Sequence, residues 1–367
     1  MWRWILCLML CLPVIAAFAD EKQNLDVGVA FDVQGQLWRA AVKQGQLWVD
    51  HSQPLQPGDT PKFSTAVAVS PKNDVAVDSR PQIVTGGQNI YIGWTQSSGN
   101  IGFSHSADGG KTFSAPLLLD HMAPAHAPQQ GTPHLDALAL TADGKLWAAW
   151  SKVQAIYLSV SNDQGENFGV ARMVADSAWA CGGITLQPAA DHHTVALWRQ
   201  SFEGAVRDHA IARIAAEGPI HSHRATFGGA SSDTCPQPAP ALAKGGDWGW
   251  HMAWFGGGQK PGIFYARMDG DAWVSSPPKR FAMTHAQASQ PSLLAIGEHV
   301  WLAWKQPDPQ GVTVNIATSD DGGRNWSSPV ITARAEGETD EPVLLNHGEQ
   351  SYLSWNTAAG FRLLSLQ

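Results

Sequence analysis

Between residues 137 and 174, apolar and polar positions fall into short runs broken by turn formers. Ala137 to Leu140 is continuously apolar, and Thr141-Ala-Asp-Gly144 is a tight-turn sequence. Lys145 to Ser151 and Ala155 to Val160 are two further runs carrying Trp, Tyr, Ile and Val, and Ala171 to Val174 forms a fourth. Runs of this length and composition, separated by Asp-Gly and similar turn pairs, specify β-strands joined by hairpins. After residue 19 no segment sustains the 3.6-residue period of an amphipathic helix, so the pattern predicts an all-β chain.

The four-run unit repeats. A strand ending in Trp recurs with Trp at positions 38, 94, 150, 198, 254, 304 and 355, at spacings of 48 to 56 residues. That period suits a four-stranded propeller blade rather than a helical solenoid. Seven units begin near residues 28, 82, 135, 183, 239, 291 and 342. The last lacks an obvious outer strand, and the segment around Asn24 to Val27 is expected to supply it and close the ring, which would remove a free sheet edge. A second repeat lies inside the units. Ser106-Ala-Asp108-Gly-Gly110-Lys-Thr-Phe113 returns as Ser161-Asn-Asp163-Gln-Gly165-Glu-Asn-Phe168 and as Ser319-Asp-Asp321-Gly-Gly323-Arg-Asn-Trp326. Its Asp can accept backbone N–H groups within the turn, its Gly relieves a positive φ, and its aromatic side chain packs between strands. This is the chemistry of a structural clasp.

The octapeptide separates the third and fourth strands of its unit, so it marks one face of the disc. The loops between second and third strands, and those leading from blade to blade, fall on the other, and there the distinctive polar residues gather. Arg80-Pro81 enters unit two. His121, His126 and His134 enter unit three, Cys181 unit four and Cys235 unit five. His285 and Gln290-Pro291 enter unit six, and Glu341-Pro342 enters unit seven. Within unit four, Arg199 to His209 is a long connection ending Arg207-Asp208-His209. Loops on a rigid scaffold are where binding and catalysis concentrate. His134, His209 and His285 are therefore assigned to a binding face.

Composition refines the picture. The 367 residues are 44% hydrophobic and 15% charged, with 36 Gly and 23 Pro, a turn-rich globular mix. The net charge of −8 and the absence of a Lys/Arg-rich run argue against a nucleic-acid partner. Residues 1–19 read as an export signal: Arg3 as the charged start, Trp4 to Ile15 as the apolar core, and Ala17-Phe18-Ala19 before Asp20 as the cleavage site. Residues 20–367 then form one exported propeller domain, periplasmic or secreted, without a membrane span after cleavage, and monomeric. Cys181 and Cys235 remain as a pair in an oxidising compartment, on the same face of adjacent blades, where a disulfide is the default; a metal site with nearby His is the alternative. His121, His126 and His134 lack ligand spacing, so no metal and no other cofactor is expected.

The octapeptides resemble the Asp-box (BNR) repeats of the sialidase superfamily of β-propellers, and with the Trp-bearing units the resemblance spans nearly the whole chain after residue 19. Sialidase domains of that superfamily have six blades, so the resemblance and the unit count leave six or seven. The resemblance implies a carboxylate-binding arginine cluster, an Asp acid/base and a Tyr nucleophile assisted by Glu. Arg80, Arg199 and Arg207 match the cluster by face, and Asp208 and Glu341 are the acidic candidates. The superfamily's Phe/Tyr-Arg-Ile-Pro motif is absent from residues 20–80, and Tyr91, Tyr157, Tyr265 and Tyr352 all lie in apolar strands. These departures favour a non-catalytic module that binds a glycan or an envelope protein through the face opposite the octapeptides, with a diverged exo-sialidase-like glycoside hydrolase or related lyase as the alternative.

Overall fold

In a computed structural model, the structure describes residues 24–120, 131–176, 183–189, 192–203, 206–228, 239–256, 261–282 and 290–366. The candidates His121, His126, His285, Cys181 and Cys235, and the export signal, lie outside the described residues.

Seven antiparallel sheets succeed one another along the chain, six of four strands and the last of three. Each inner strand neighbours the inner strand of the next sheet, and the inner strand of the seventh lies against that of the first. The chain is a seven-bladed β-propeller, and the count of seven holds over six. Blade three shows how closely local pattern becomes structure: His134–Leu140, Leu146–Lys152, Ala155–Ser161 and Arg172–Ala175 follow the four runs.

Blades pack through their apolar faces. One cluster joins Trp38, Val42 and Val49 of blade one to Ile83, Ile92 and Trp94 of blade two, with Phe113 against it. Of the seven repeating Trp residues, Trp38, Trp94, Trp150, Trp198, Trp304 and Trp355 are buried, while Trp254 is only half-buried. The blades also differ in their outer strands, which shrink to the pairs Val67–Ala68, Leu117–Leu118 and His223–Arg224 in blades one, two and four.

The three octapeptides form one turn, repeated. In each, the Ser Oγ donates to the Asp Oδ1 at 2.8 Å and accepts the N–H of the second Gly position at 2.9 Å. The Asp also accepts the backbone N–H four residues on, from Thr112, Asn167 or Asn325. Phe113, Phe168 and Trp326 each pack onto an inter-blade core. Several strong donors hold Asp108 below the usual carboxylate range, chiefly the backbone and side chain of Thr112. The carboxylates are satisfied within their own turns.

Ring closure departs from the expectation. Residues 24–26 lie in no strand, and Val27 begins the inner strand of blade one, Val27–Phe31, paired with Gln36–Lys43, so the 24–27 segment adds no outer strand to blade seven. That inner strand runs close to its neighbour, since a Cβ on Gly28 would collide with the carbonyl of Pro81. Closure depends instead on side chains. The Val27 N–H donates to Asp340 Oδ2 at 3.1 Å, and Arg80 Nη2 donates to the same oxygen at 3.2 Å. Asn356 Nδ2 donates to the Leu25 carbonyl at 2.9 Å. Blade seven, Val343–His347, Gln350–Thr357 and Gly360–Leu366, has three strands.

Candidate functional site

Two separate cavities draw in the polar residues singled out from the sequence. The first, of about 290 Å³, lies on the propeller axis between the inner strands. Arg80, Pro240, Pro291, Glu341 and Pro342 line its rim. A Pro keeps the residue before it extended, which holds the entry of each inner strand at the axis. Arg80 Nη2 also reaches the carbonyls of Glu341 at 3.4 Å and Val27 at 3.5 Å. Lys305 Nζ, from the adjacent blade six strand His299–Asp308, pairs with Glu341 Oε1 at 2.8 Å. Across the cavity, His134 Nδ1 meets Asp136 Oδ1 at 3.2 Å. The Asp136 side chain is 7% exposed, and its Oδ2 has no hydrogen-bond partner.

Burial dominates the electrostatics here. It raises the Glu341 carboxyl against the opposing pull of Lys305 and Arg80. Asp340 is also raised, chiefly by burial and then by its contact with Asp26, which together outweigh Arg80. For His134, burial acts downward, but the hydrogen bond and charge of Asp136, with Asp78 behind them, overcome it and raise the imidazole.

The second cavity, of about 420 Å³, opens between blades four and five. Arg199 to His209 is not the long connection expected but the end of a hairpin: in blade four, Thr194–Phe202 pairs with Val206–Ile214 so that Arg199 faces His209 and Ser201 faces Arg207. Directly opposed residues share a face, and so do residues two apart, so Arg199, Arg207 and His209 project together. Trp254, Phe264, Trp273 and Phe227 supply aromatic walls. Trp254 and Phe264 stack at 6.0 Å with an interplanar angle of 15°. Arg199 is 5% exposed; its Nη2 reaches the Phe255 carbonyl at 3.5 Å, while its Nε has no partner. Burial, followed by the like charge of Arg207, lowers its guanidinium pKa. His209, also buried, is depressed to about 3 by burial and then by Arg199, so its imidazole is neutral at ordinary pH. Asp208 is bound by its surroundings: Arg224 Nε at 3.0 Å, Arg224 Nη2, Thr226 Oγ1 at 3.1 Å and Gly228 N at 3.0 Å.

The structure therefore divides the candidate set. Arg80 and Glu341 line the axis, His134 lines neither cavity and meets the axis only through Asp136, and Arg199, Arg207, Asp208 and His209 line the inter-blade cleft; the two linings share no residue. Tyr91, Tyr157, Tyr265 and Tyr352 are buried within strands and line neither. Sequence reasoning missed Asp136, Lys305, Asp340 and the aromatic walls. Asp136 was detectable as the one acid inside the otherwise apolar run His134–Leu140. The described residues contain no group of three or more His, Cys, Asp or Glu placed to hold a metal ion. No helix among them is long and apolar enough to cross a membrane.

No family model matches the chain, and no curated protein matches it. Its fold is nevertheless shared with solved structures. An ulvan lyase, a polysaccharide lyase, superposes with a TM-score of 0.62 at 11% identity over 94% of each chain. Virginiamycin B lyase from Staphylococcus aureus, crystallised as an inactive variant with quinupristin, gives 0.56 at 12% identity over 95% of this chain and 97% of its own. A Hadza microbial sialidase gives 0.52 at 15% identity over 91% of this chain and 74% of its own. At these identities the likeness is one of fold: this chain is a seven-bladed propeller similar in architecture to carbohydrate-active propellers, among others.

Proposed function

We propose that this chain is an exported propeller that binds a glycan without turning it over, in the axial cavity on the face opposite the octapeptides. The observation that carries this reading is Asp136 Oδ2, a buried acceptor without a donor, in a polar cavity of about 290 Å³ that also holds the Glu341 carboxyl. Buried acceptors without donors are costly, and sugar hydroxyls are donors of the right kind. Gln82, Gln187 and Gln290 line the same space and can give and accept further hydrogen bonds. The non-catalytic reading draws on the division of the arginines between two cavities and on the absence of a tyrosine from either lining. The solved propellers that act on polysaccharide or sialoside make a carbohydrate the natural ligand class to test first. An envelope protein is the alternative partner for the same face, and the domain acts as a monomer.

A diverged glycoside hydrolase or lyase is the second reading, favoured by one feature. Burial raises the Glu341 carboxyl in a cavity that also holds Asp136, and a carboxyl raised by burial near a second one is a common hydrolytic pairing. Saturation-transfer NMR against a glycan panel, run beside turnover assays on the same panel, separates the two. Binding lost in Asp136→Asn, with no turnover of any member, supports the binding module. Turnover abolished by Glu341→Gln replaces it with the enzyme.

A further inference from the structure

The cleft between blades four and five has no role in the axial reading, and its composition differs from that of the axial cavity. Its walls are Trp254, Phe264, Trp273 and Phe227, with Val274, Pro277 and Pro278 extending the apolar surface. Phe227 and Val274 are 70% and 64% exposed. Trp254 adds a comparison internal to the fold: at six of the seven repeat positions the Trp is buried, and here alone it opens partly onto a cavity.

The polar residues of the cleft are few and specific. Of its charged lining residues, two are arginines and one is Asp208, whose carboxylate is already engaged by Arg224, Thr226 and Gly228. Arg199 is more than nine-tenths buried with its Nε unpartnered. The Asp208 charge reaches Arg199, but its oxygens are held by Arg224, Thr226 and Gly228, so the Arg199 fork keeps room for a second anion, and it suits a carboxylate or sulfonate. Two of the three lining hydroxyls are engaged as well. Ser276 Oγ accepts the Arg267 N–H at 3.0 Å, and Thr226 Oγ1 lies between Asp208 and His209. A sugar would find few partners for its hydroxyls here.

We propose that this cleft is a second binding site, for a small aromatic carboxylate whose ring lies against the Trp254–Phe264 stack and whose anionic end meets Arg199 and Arg207. Its volume of about 420 Å³ and its largely apolar, aromatic lining with a few placed polar groups are typical of small-molecule sites. The neutral His209 adds no charge and places an imidazole beside Trp254, with ring centroids 5.6 Å apart. The inference is independent of glycan binding at the axis.

The test follows tryptophan fluorescence during titration with 2-naphthoate, its uncharged counterpart 2-naphthylmethanol, and glucuronate as the sugar acid. Naphthoate is expected to bind saturably, naphthylmethanol about tenfold or more weakly, and glucuronate not to compete. Phe227→Ala, at an exposed position that keeps the fold, and Arg207→Gln are each expected to weaken naphthoate by about tenfold. The axial variant Asp136→Asn is expected to leave naphthoate binding unchanged. Equal affinity for the acid and the alcohol would remove the arginines from the site. Competition by glucuronate would make the cleft a sugar site, and no saturable binding, or an unaltered Phe227→Ala, would overturn the assignment.

Discussion

The three octapeptide turns offer the same substitution in three nearly identical backbones, differing in what surrounds them. Gly110, Gly165 and Gly323 have φ of 78°, 89° and 80°. Replacing each by Ala forces an L-residue into the left-handed region, at about 1–2 kcal/mol, offset by about 0.4–1 kcal/mol from the smaller unfolded ensemble. The backbone component is therefore shared, at about 1 kcal/mol. The added methyl meets different neighbours. At Gly165 its nearest atom is Phe103 Cζ at 3.0 Å, a contact that a small ring shift relieves. At Gly110 it enters the edge of the Trp38 ring, within a tightly packed inter-blade core, which adds about 1–3 kcal/mol of overpacking. At Gly323 it overlaps Tyr265 Oη, so the phenol must leave His251 Nδ1, its partner at 2.6 Å, with a further loss of about 1–3 kcal/mol. Urea unfolding should then rank the losses as Gly165→Ala at about 1, Gly110→Ala at about 2–4 and Gly323→Ala, which adds the lost hydrogen bond to backbone strain and overpacking, at about 3–7 kcal/mol. Equal losses at the three sites would show that backbone conformation alone sets the effect. A largest loss at Gly165 would refute the packing argument outright.

Two further outcomes concern closure and pH. Asp340→Ala strands the Val27 N–H and leaves Arg80 only the Glu341 and Val27 carbonyls, and should cost about 1–3 kcal/mol, while Asp340→Asn, which keeps an acceptor, should cost distinctly less; equal denaturation midpoints for the two variants would rule out the latch. His209, depressed to about 3, and His251, depressed to about 4 by burial and then Arg267, are less basic folded than unfolded. Their stabilisation is full above the ordinary histidine value and is lost as pH falls through the folded values. Below about pH 6.5 a His209→Gln, His251→Gln protein should therefore lose less stability with acid than the parent, a difference read from unfolding midpoints at pH 7 and pH 4.5; parallel acid losses would refute it.

Much of the architecture was legible because a propeller is built from local repeats. Hairpins, Trp spacing and the octapeptide are each written within about fifty residues, and the inter-blade core only repeats one contact scheme. The three-stranded seventh blade was visible as a missing outer strand. The remedy expected from residues 24–27 fails because Val27 already belongs to the inner strand of blade one, and Asn24 and Leu25 meet their neighbours through single side-chain hydrogen bonds to Ser79 and Asn356 rather than a strand ladder. Those partners lie 55 and 331 positions away in the chain, beyond the reach of a local pattern.

The sites were less legible for the same reason. Chain order and face placed Arg80, Arg199, Arg207 and Glu341 on one side of the disc, and that side is all the repeat pattern encodes. Radius and azimuth depend on closure of seven blades into a ring, which brings Arg80 from blade two against Asp340 from blade seven and leaves Arg199 and Arg207 in a cleft of their own. By itself, then, the sequence determined the strand periods, the blade count to within one, and the turns that clasp each blade, because these depend on contacts between near neighbours in the chain. Only the tertiary structure decided which charges share a cavity and which Trp of seven opens onto a cleft, because those depend on distances across the closed ring.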